Sequence, residues 1–137
     1  MSIEERIIDK FVNGKDREYI LSKRDRVVIK TENGIKEIKY YLWSSPIFCM
    51  TETDRKITID FCFCSWSSQT TKNRIDCLLL HFTKRFYVFQ KNWLLYLYDT
   101  DTKEVFKIDT SMRYTVEGGK ITDRHGNSLI AIEGFKR

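Results

Sequence analysis

Asn33-Gly34 lies between two runs of strand-forming residues: Val27-Val28-Ile29 before it, and Ile35, Ile38, Tyr40 and Leu42 after it. An Asn-Gly pair accepts the positive φ that a two-residue hairpin turn demands, so this stretch predicts two antiparallel strands. The same pattern recurs along the chain. Residues 56–64 alternate Ile57, Ile59, Phe61 and Phe63 with Thr58, Asp60, Cys62 and Cys64, which predicts a strand buried on one face. Ser44-Ser45-Pro46 is read as a break before a strand at 47–50. Residues 86–90 and 93–98 flank the short polar connection Lys91-Asn92, and a further strand is expected at 105–108. Residues 114–116 and 120–122 flank Glu117-Gly118-Gly119, and His125-Gly126-Asn127 turns into an apolar run at 129–132.

Two segments follow a helical period instead. Ser2 and Glu5 have the spacing of a capping box, which predicts a helix over 3–12 with Ile3, Ile7, Ile8 and Phe11 or Val12 on one face. Gly14 is placed to end it. Thr70 or Thr71 is expected to cap a second helix, over about 70–82, that buries Ile75, Leu78, Leu79 and Phe82. The fold class is therefore α+β: mainly an antiparallel sheet of hairpins, with a short N-terminal helix and one central helix. No linker, charge block or internal repeat divides residues 1–137, so one domain is expected.

A hydrophobic fraction of 42% in 137 residues supports a real core, and one proline with six glycines excludes collagen-like or Pro/Gly-rich disorder. The apolar stretches around 40–50 and 86–98 are too short to cross a bilayer, and the N-terminus lacks the basic start and apolar run of a secretory signal. A soluble, cytoplasmic chain without membrane contact is expected. In a reducing compartment Cys49, Cys62, Cys64 and Cys77 read as small hydrophobes. The sharper alternative is tetrahedral zinc held by Cys62, Cys64, Cys77 and His81, but no Cys-x-x-Cys knuckle is present. No metal or other cofactor is expected.

The segment from Trp66 to Arg74 gathers hydroxyls, an amide and two cations where a loop enters the central helix. Free N–H groups at that helix start, with Thr70, Thr71, Lys72 and Arg74, suit a phosphate or carboxylate; the alternative is a capped helix with a solvated first turn. Across 70–91, Lys72, Arg74, Lys84, Arg85 and Lys91 stand against Asp76 alone, a net +4 (five minus one). Trp66, Phe86, Tyr87, Trp93, Tyr96 and Tyr98 lie in or beside this stretch, and strand alternation turns about half of such aromatics toward the core. Cations interleaved with aromatics on a sheet can track a phosphate backbone and stack on bases. A second basic group, Arg17, Lys23, Arg24, Arg26 and Lys30, extends the pattern. The chain has no phosphate-binding Gly-rich loop, and neither His81 nor His125 has an acid or nucleophile beside it in sequence. No enzymatic activity is expected.

The middle of the chain resembles a family of small, uncharacterised bacteriophage and mobile-element proteins. That family carries a small-Pro-Ile strand and a Trp-x-Ser/Thr-x-Thr-Thr-Lys-x-Arg core, followed by a Leu-Leu pair and a Val-x-Gln-Lys strand. The matching residues are Ser45-Pro46-Ile47, then Trp66 through Asp76, Leu78-Leu79, Val88-Phe89-Gln90-Lys91 and Trp93, within roughly 42–98. Ser65 stands where the family often has glycine, and Asp76 where it usually has asparagine. The resemblance implies a phage-type accessory protein in the host cytoplasm and no particular reaction.

Two partners fit this reading. One is nucleic acid or another anionic ligand, bound through Trp66, Thr70, Thr71, Lys72, Arg74, Lys84, Arg85 and Lys91. The other is a host defence complex inhibited by protein–protein contact, for which a net charge of +5 argues against simple mimicry of an acidic substrate. An exposed strand edge leaves a homodimer open.

Overall fold

A computed structural model describes residues 1–65 and 68–135. The chain runs α1 (Ile3–Asn13), β1 (Arg17–Ile20), β2 (Asp25–Glu32), β3 (Ile35–Leu42), β4 (Ser45–Glu52), β5 (Ile57–Cys62), α2 (Gln69–Thr83), β6 (Phe86–Lys91), β7 (Leu94–Asp99), β8 (Val105–Lys107), β9 (Arg113–Glu117) and β10 (Lys120–Asp123). The α+β architecture read from the sequence is the one observed. The strands make two antiparallel sheets, a large one in the order β1-β2-β3-β4-β5-β9-β10 and a small one in the order β6-β7-β8.

The capping box forms as expected: the Ser2 hydroxyl accepts from the Glu5 amide while the Glu5 carboxylate accepts from the Ser2 amide. Gly14 follows the helix because nothing larger fits. A Cβ there would stand 2.4 Å from both the Ile29 side chain and the Lys10 carbonyl. The central helix is capped by Ser68, whose Oγ accepts from the Thr71 amide at 3.2 Å. The expected cap at Thr70 or Thr71 is thus displaced, because Ser68 is the residue left in the extended conformation an N-cap requires.

Register explains which side chains meet. Val27, Ile29, Ile38, Tyr40, Phe48, Met50, Ile59, Phe61, Tyr114 and Val116 line one face of the large sheet and are buried. Ile7 and Phe11 of α1, with Ile75, Leu78 and Leu79 of α2, join the same buried cluster, and Phe11, Phe48 and Phe82 form a ring contact at 5.6–6.4 Å between centroids. The cluster continues through Phe86, Val88, Leu95, Leu97 and Phe106 into the small sheet. Burying these side chains contributes about 1.5–3 kcal/mol each.

Several sequence expectations shift. β1 is a strand the sequence does not announce, because its four residues lack alternation and it is held by backbone pairing to β2. The break before β4 falls at Trp43-Ser44, and Pro46 lies inside the strand beside a bulge at Tyr40/Tyr41. Cys64 sits beyond the end of β5 in a left-handed turn (φ 51°), off the strand face assigned to it. Residues 129–132 form no strand, and only a Thr122–Ser128 bridge continues β10. The expected final meander divides: β6–β8 form their own sheet, while β9 returns to pair with β5.

Candidate functional site

Arg74 points inward. It is 4% exposed, and its guanidinium donates through Nε to Asp25 Oδ1 at 3.0 Å and to the Tyr40 hydroxyl at 3.2 Å. It also pairs with Glu4 of α1. Asp25 additionally accepts from the Ser22 and Tyr40 hydroxyls. Burial works against the Asp25 charge, but hydrogen bonds from Arg74, Ser22 and Tyr40 outweigh it and hold its carboxyl below the usual range. Burial and the Asp25 carboxylate push the Tyr40 phenol far up. Arg74 therefore ties α1, α2, β2 and β3 together, and the expectation that it faces an anion is corrected: its charge is already matched by carboxylates inside the protein.

The other expected site residues divide. Thr71 is fully buried, with its hydroxyl 2.9 Å from Ser68 Oγ, so it does not line an open helix start. Arg85 is committed to Asp99 through a two-point fork, Nε–Oδ1 and Nη2–Oδ2 both at 2.8 Å, joining the ends of β6 and β7. Trp66 lies outside the described residues. Thr70 and Lys72 are half-buried in the first turn of α2, Lys84 is exposed at its left-handed C-cap, and Lys91 is half-buried at the end of β6. Twelve residues of helix separate Lys72 from Lys84 by about 18 Å. These cations border a long surface and do not converge on one small site.

Asp76, between them, accepts from the Val88 amide at 2.8 Å and so covers the open edge of β6. Burial raises its carboxyl above the ordinary value. The zinc quartet does not assemble: among the described residues no three His, Cys, Asp or Glu side chains are placed to hold a metal ion. Burial raises the thiols of Cys49, Cys64 and Cys77, that of Cys64 to about 11, so none of the three is activated as a nucleophile.

The surface that does gather aromatic residues is the outer face of the small sheet. Strand alternation turns Phe86, Val88, Leu95, Leu97 and Phe106 to the core and leaves Tyr87, Phe89, Tyr96 and Tyr98 half-buried on the other side. The register sets Tyr87 opposite Tyr98 and Phe89 opposite Tyr96, with ring centroids 5.2 and 5.5 Å apart, the latter pair stacked. Lys91 follows Phe89 on this face, and Lys107 of β8 stands opposite Tyr96. Phe135 lies against Tyr96 and Phe89 at 4.8 and 5.8 Å, with Lys91 Nζ 5.0 Å from its ring. At one end of this face the β6–β7 turn is Asn92-Trp93, both with positive φ, and the Trp93 side chain is 88% exposed. Tyr87, Trp93, Tyr96 and Tyr98 were legible in the sequence as aromatics of the basic stretch. Phe89 and Lys107 were not, since only the pairing of β6, β7 and β8 brings them in.

Among the described residues no helix is long and apolar enough to cross a membrane. No curated protein and no solved structure matches the chain. A family model, that of the Kyanoviridae Gp96 protein, matches residues 1–130. That span takes in the phage-like core and also the N-terminal helix and the β9–β10 hairpin, which the resemblance left out. Matched over nearly its whole length, the chain belongs to the Kyanoviridae Gp96 protein family, a family of phage proteins.

Proposed function

We propose that this phage protein acts by binding single-stranded nucleic acid across the outer face of β6–β8, without catalysing a reaction. The observation that carries the reading is the paired aromatic row Tyr87/Tyr98 and Phe89/Tyr96, flanked by Lys91 and Lys107 and continued by the exposed Trp93. Bases stack on aromatic faces with about 1–3 kcal/mol per base, and only unpaired bases present those faces. The Phe135 ring meets Phe89 edge-on and Tyr96 at a tilt, with interplanar angles of 63° and 53°, so a base that stacks on this pair takes the place of Phe135. Lys72 and Lys84, neither with a carboxylate within 4 Å among the described residues, extend the cationic border along α2. Titrating a labelled oligothymidine at about 50 and 200 mM salt tests the reading, because phosphate contacts lose affinity steeply as salt rises. Absence of binding at the lower salt rejects it.

The exposed Trp93-Leu94 tip favours a second reading, in which the same end of the small sheet docks on a host protein complex and inhibits it. An apolar contact of that kind is insensitive to salt and survives loss of the bordering lysines.

A further inference from the structure

At the tip of the β3–β4 hairpin in the large sheet a second tryptophan is held in an unfavourable backbone conformation. Trp43 and Ser44 form the two-residue connection between β3 and β4, and Trp43 has φ 57°. A bulky residue costs about 1–2 kcal/mol in this left-handed region, where glycine or asparagine is the easy choice. Its amide donates to the Arg24 carbonyl at 2.7 Å, which joins this hairpin tip to the β1–β2 turn. The indole is half exposed and lines a cleft of about 520 Å³ together with Arg6, Ser22, Lys23 and Arg24. That volume lies within the range of small-molecule sites. The floor of the cleft is the Asp25–Arg74 pair, whose charges cancel. The rim is cationic: Arg6 and Lys23 have no carboxylate within 4 Å among the described residues, and Arg24 has only a long 3.8 Å contact to Asp25. The residues lining the cleft sum to +3 (Arg6, Lys23, Arg24 and Arg74 against Asp25), and Glu4, which pairs with Arg74 from α1, brings the local charge to +2.

From this geometry we infer that the Trp43 cleft is a nucleoside-phosphate site, in which a base stacks on the indole and the phosphate is held by Arg6, Lys23 and Arg24. An indole face supplies the stacking surface and adjacent guanidinium groups supply forked donors for phosphate oxygens. The inference does not rest on the reading of β6–β8, which occupies different strands and a different tryptophan. The same chemistry is presented by a free mononucleotide and by the phosphorylated end of a strand.

The test follows the Trp43 indole N–H in nitrogen-15 correlation spectra of the full chain while AMP, a 5′-phosphorylated oligothymidine, its 5′-hydroxyl counterpart or inorganic phosphate is added. The expected result is a saturable shift of the Trp43 resonance with AMP or with the 5′-phosphorylated strand. The affinity should fall at least about tenfold in Lys23→Ala/Arg24→Ala, whose exposed side chains leave the backbone bond to Trp43 intact. A response to AMP identifies a mononucleotide site; a response confined to the phosphorylated strand identifies strand-end binding. No shift with either, equal shifts with inorganic phosphate alone, or unchanged affinity in the double variant overturns the inference. The Trp93 resonance, read in the same spectra, reports the β6–β8 face separately.

Discussion

Asn92 and Trp93 share the two-residue turn between β6 and β7, with φ of 51° and 67°, so a tryptophan stands where the turn geometry favours glycine. Asn-Gly makes the corresponding turn between β2 and β3. The indole makes little use of the protein, being almost fully exposed. Backbone strain kept for a side chain this exposed points to a role outside the fold. Replacing Trp93 with glycine relieves about 1–2 kcal/mol of left-handed strain and returns about 0.5–1 kcal/mol as chain entropy of the unfolded state. Urea unfolding of Trp93→Gly is therefore expected to give stability equal to wild type or raised by up to about 1.5 kcal/mol. A clear loss of stability would show that the indole is a packing residue.

Arg74 is expected to behave as part of the interior. Arg74→Met leaves Asp25 buried without its partner, which costs about 3–5 kcal/mol for a buried pair. The midpoint of urea unfolding should fall accordingly. A loss below about 1 kcal/mol would contradict the assignment of Arg74 to the network that joins both helices to β2 and β3.

Asp76→Asn keeps an oxygen for the Val88 amide while removing a charge that burial disfavours. Stability at pH 7 should be unchanged or higher. The advantage over wild type should shrink as pH falls through the raised Asp76 value, where the wild-type carboxyl takes up its proton. Destabilisation at pH 7 would mean that the charge itself, through Lys72, matters more than the hydrogen bond.

Acid should weaken the fold through Asp25 and Asp99. Burial opposes both charges. Hydrogen bonds outweigh it, from Arg74, Ser22 and Tyr40 at Asp25 and from Arg85 and the Asp101 and Thr102 amides at Asp99, and hold both values below the ordinary carboxylate. A depressed folded value contributes stability that is complete above the unfolded value of about 3.9 and is lost as pH falls through the folded one. Thermal midpoints should therefore drop below about pH 4. Midpoints that hold steady or rise on acidification contradict the sign.

Much of the fold was legible because turn chemistry and alternation are local. Asn33-Gly34, the Ser2/Glu5 box and the Ile57–Phe63 alternation each reappear as a hairpin, a cap and a half-buried strand. The pairing of β9 with β5 was not legible, since it joins segments about fifty residues apart and leaves no local pattern. Arg74 was misread for a related reason: its partners, Glu4, Tyr40 and Asp25, are 34 to 70 residues away. A cation beside hydroxyls at a helix start looks the same in sequence whether it faces solvent or a buried carboxylate. Trp93 was legible as an aromatic in a basic stretch. Its left-handed turn position was not, because an aromatic next to Leu94-Leu95 has the pattern of a strand's first residue.

The most direct test of nucleic-acid binding is a fluorescence-anisotropy titration of labelled oligothymidine with wild type and Trp93→Gly at about 50 and 200 mM salt. The account predicts wild-type binding that weakens steeply with salt, and a loss of at least about tenfold in Trp93→Gly with the fold intact, as expected for one lost stacking contact. Equal affinity in the two proteins, or wild-type affinity that does not change with salt, would contradict it.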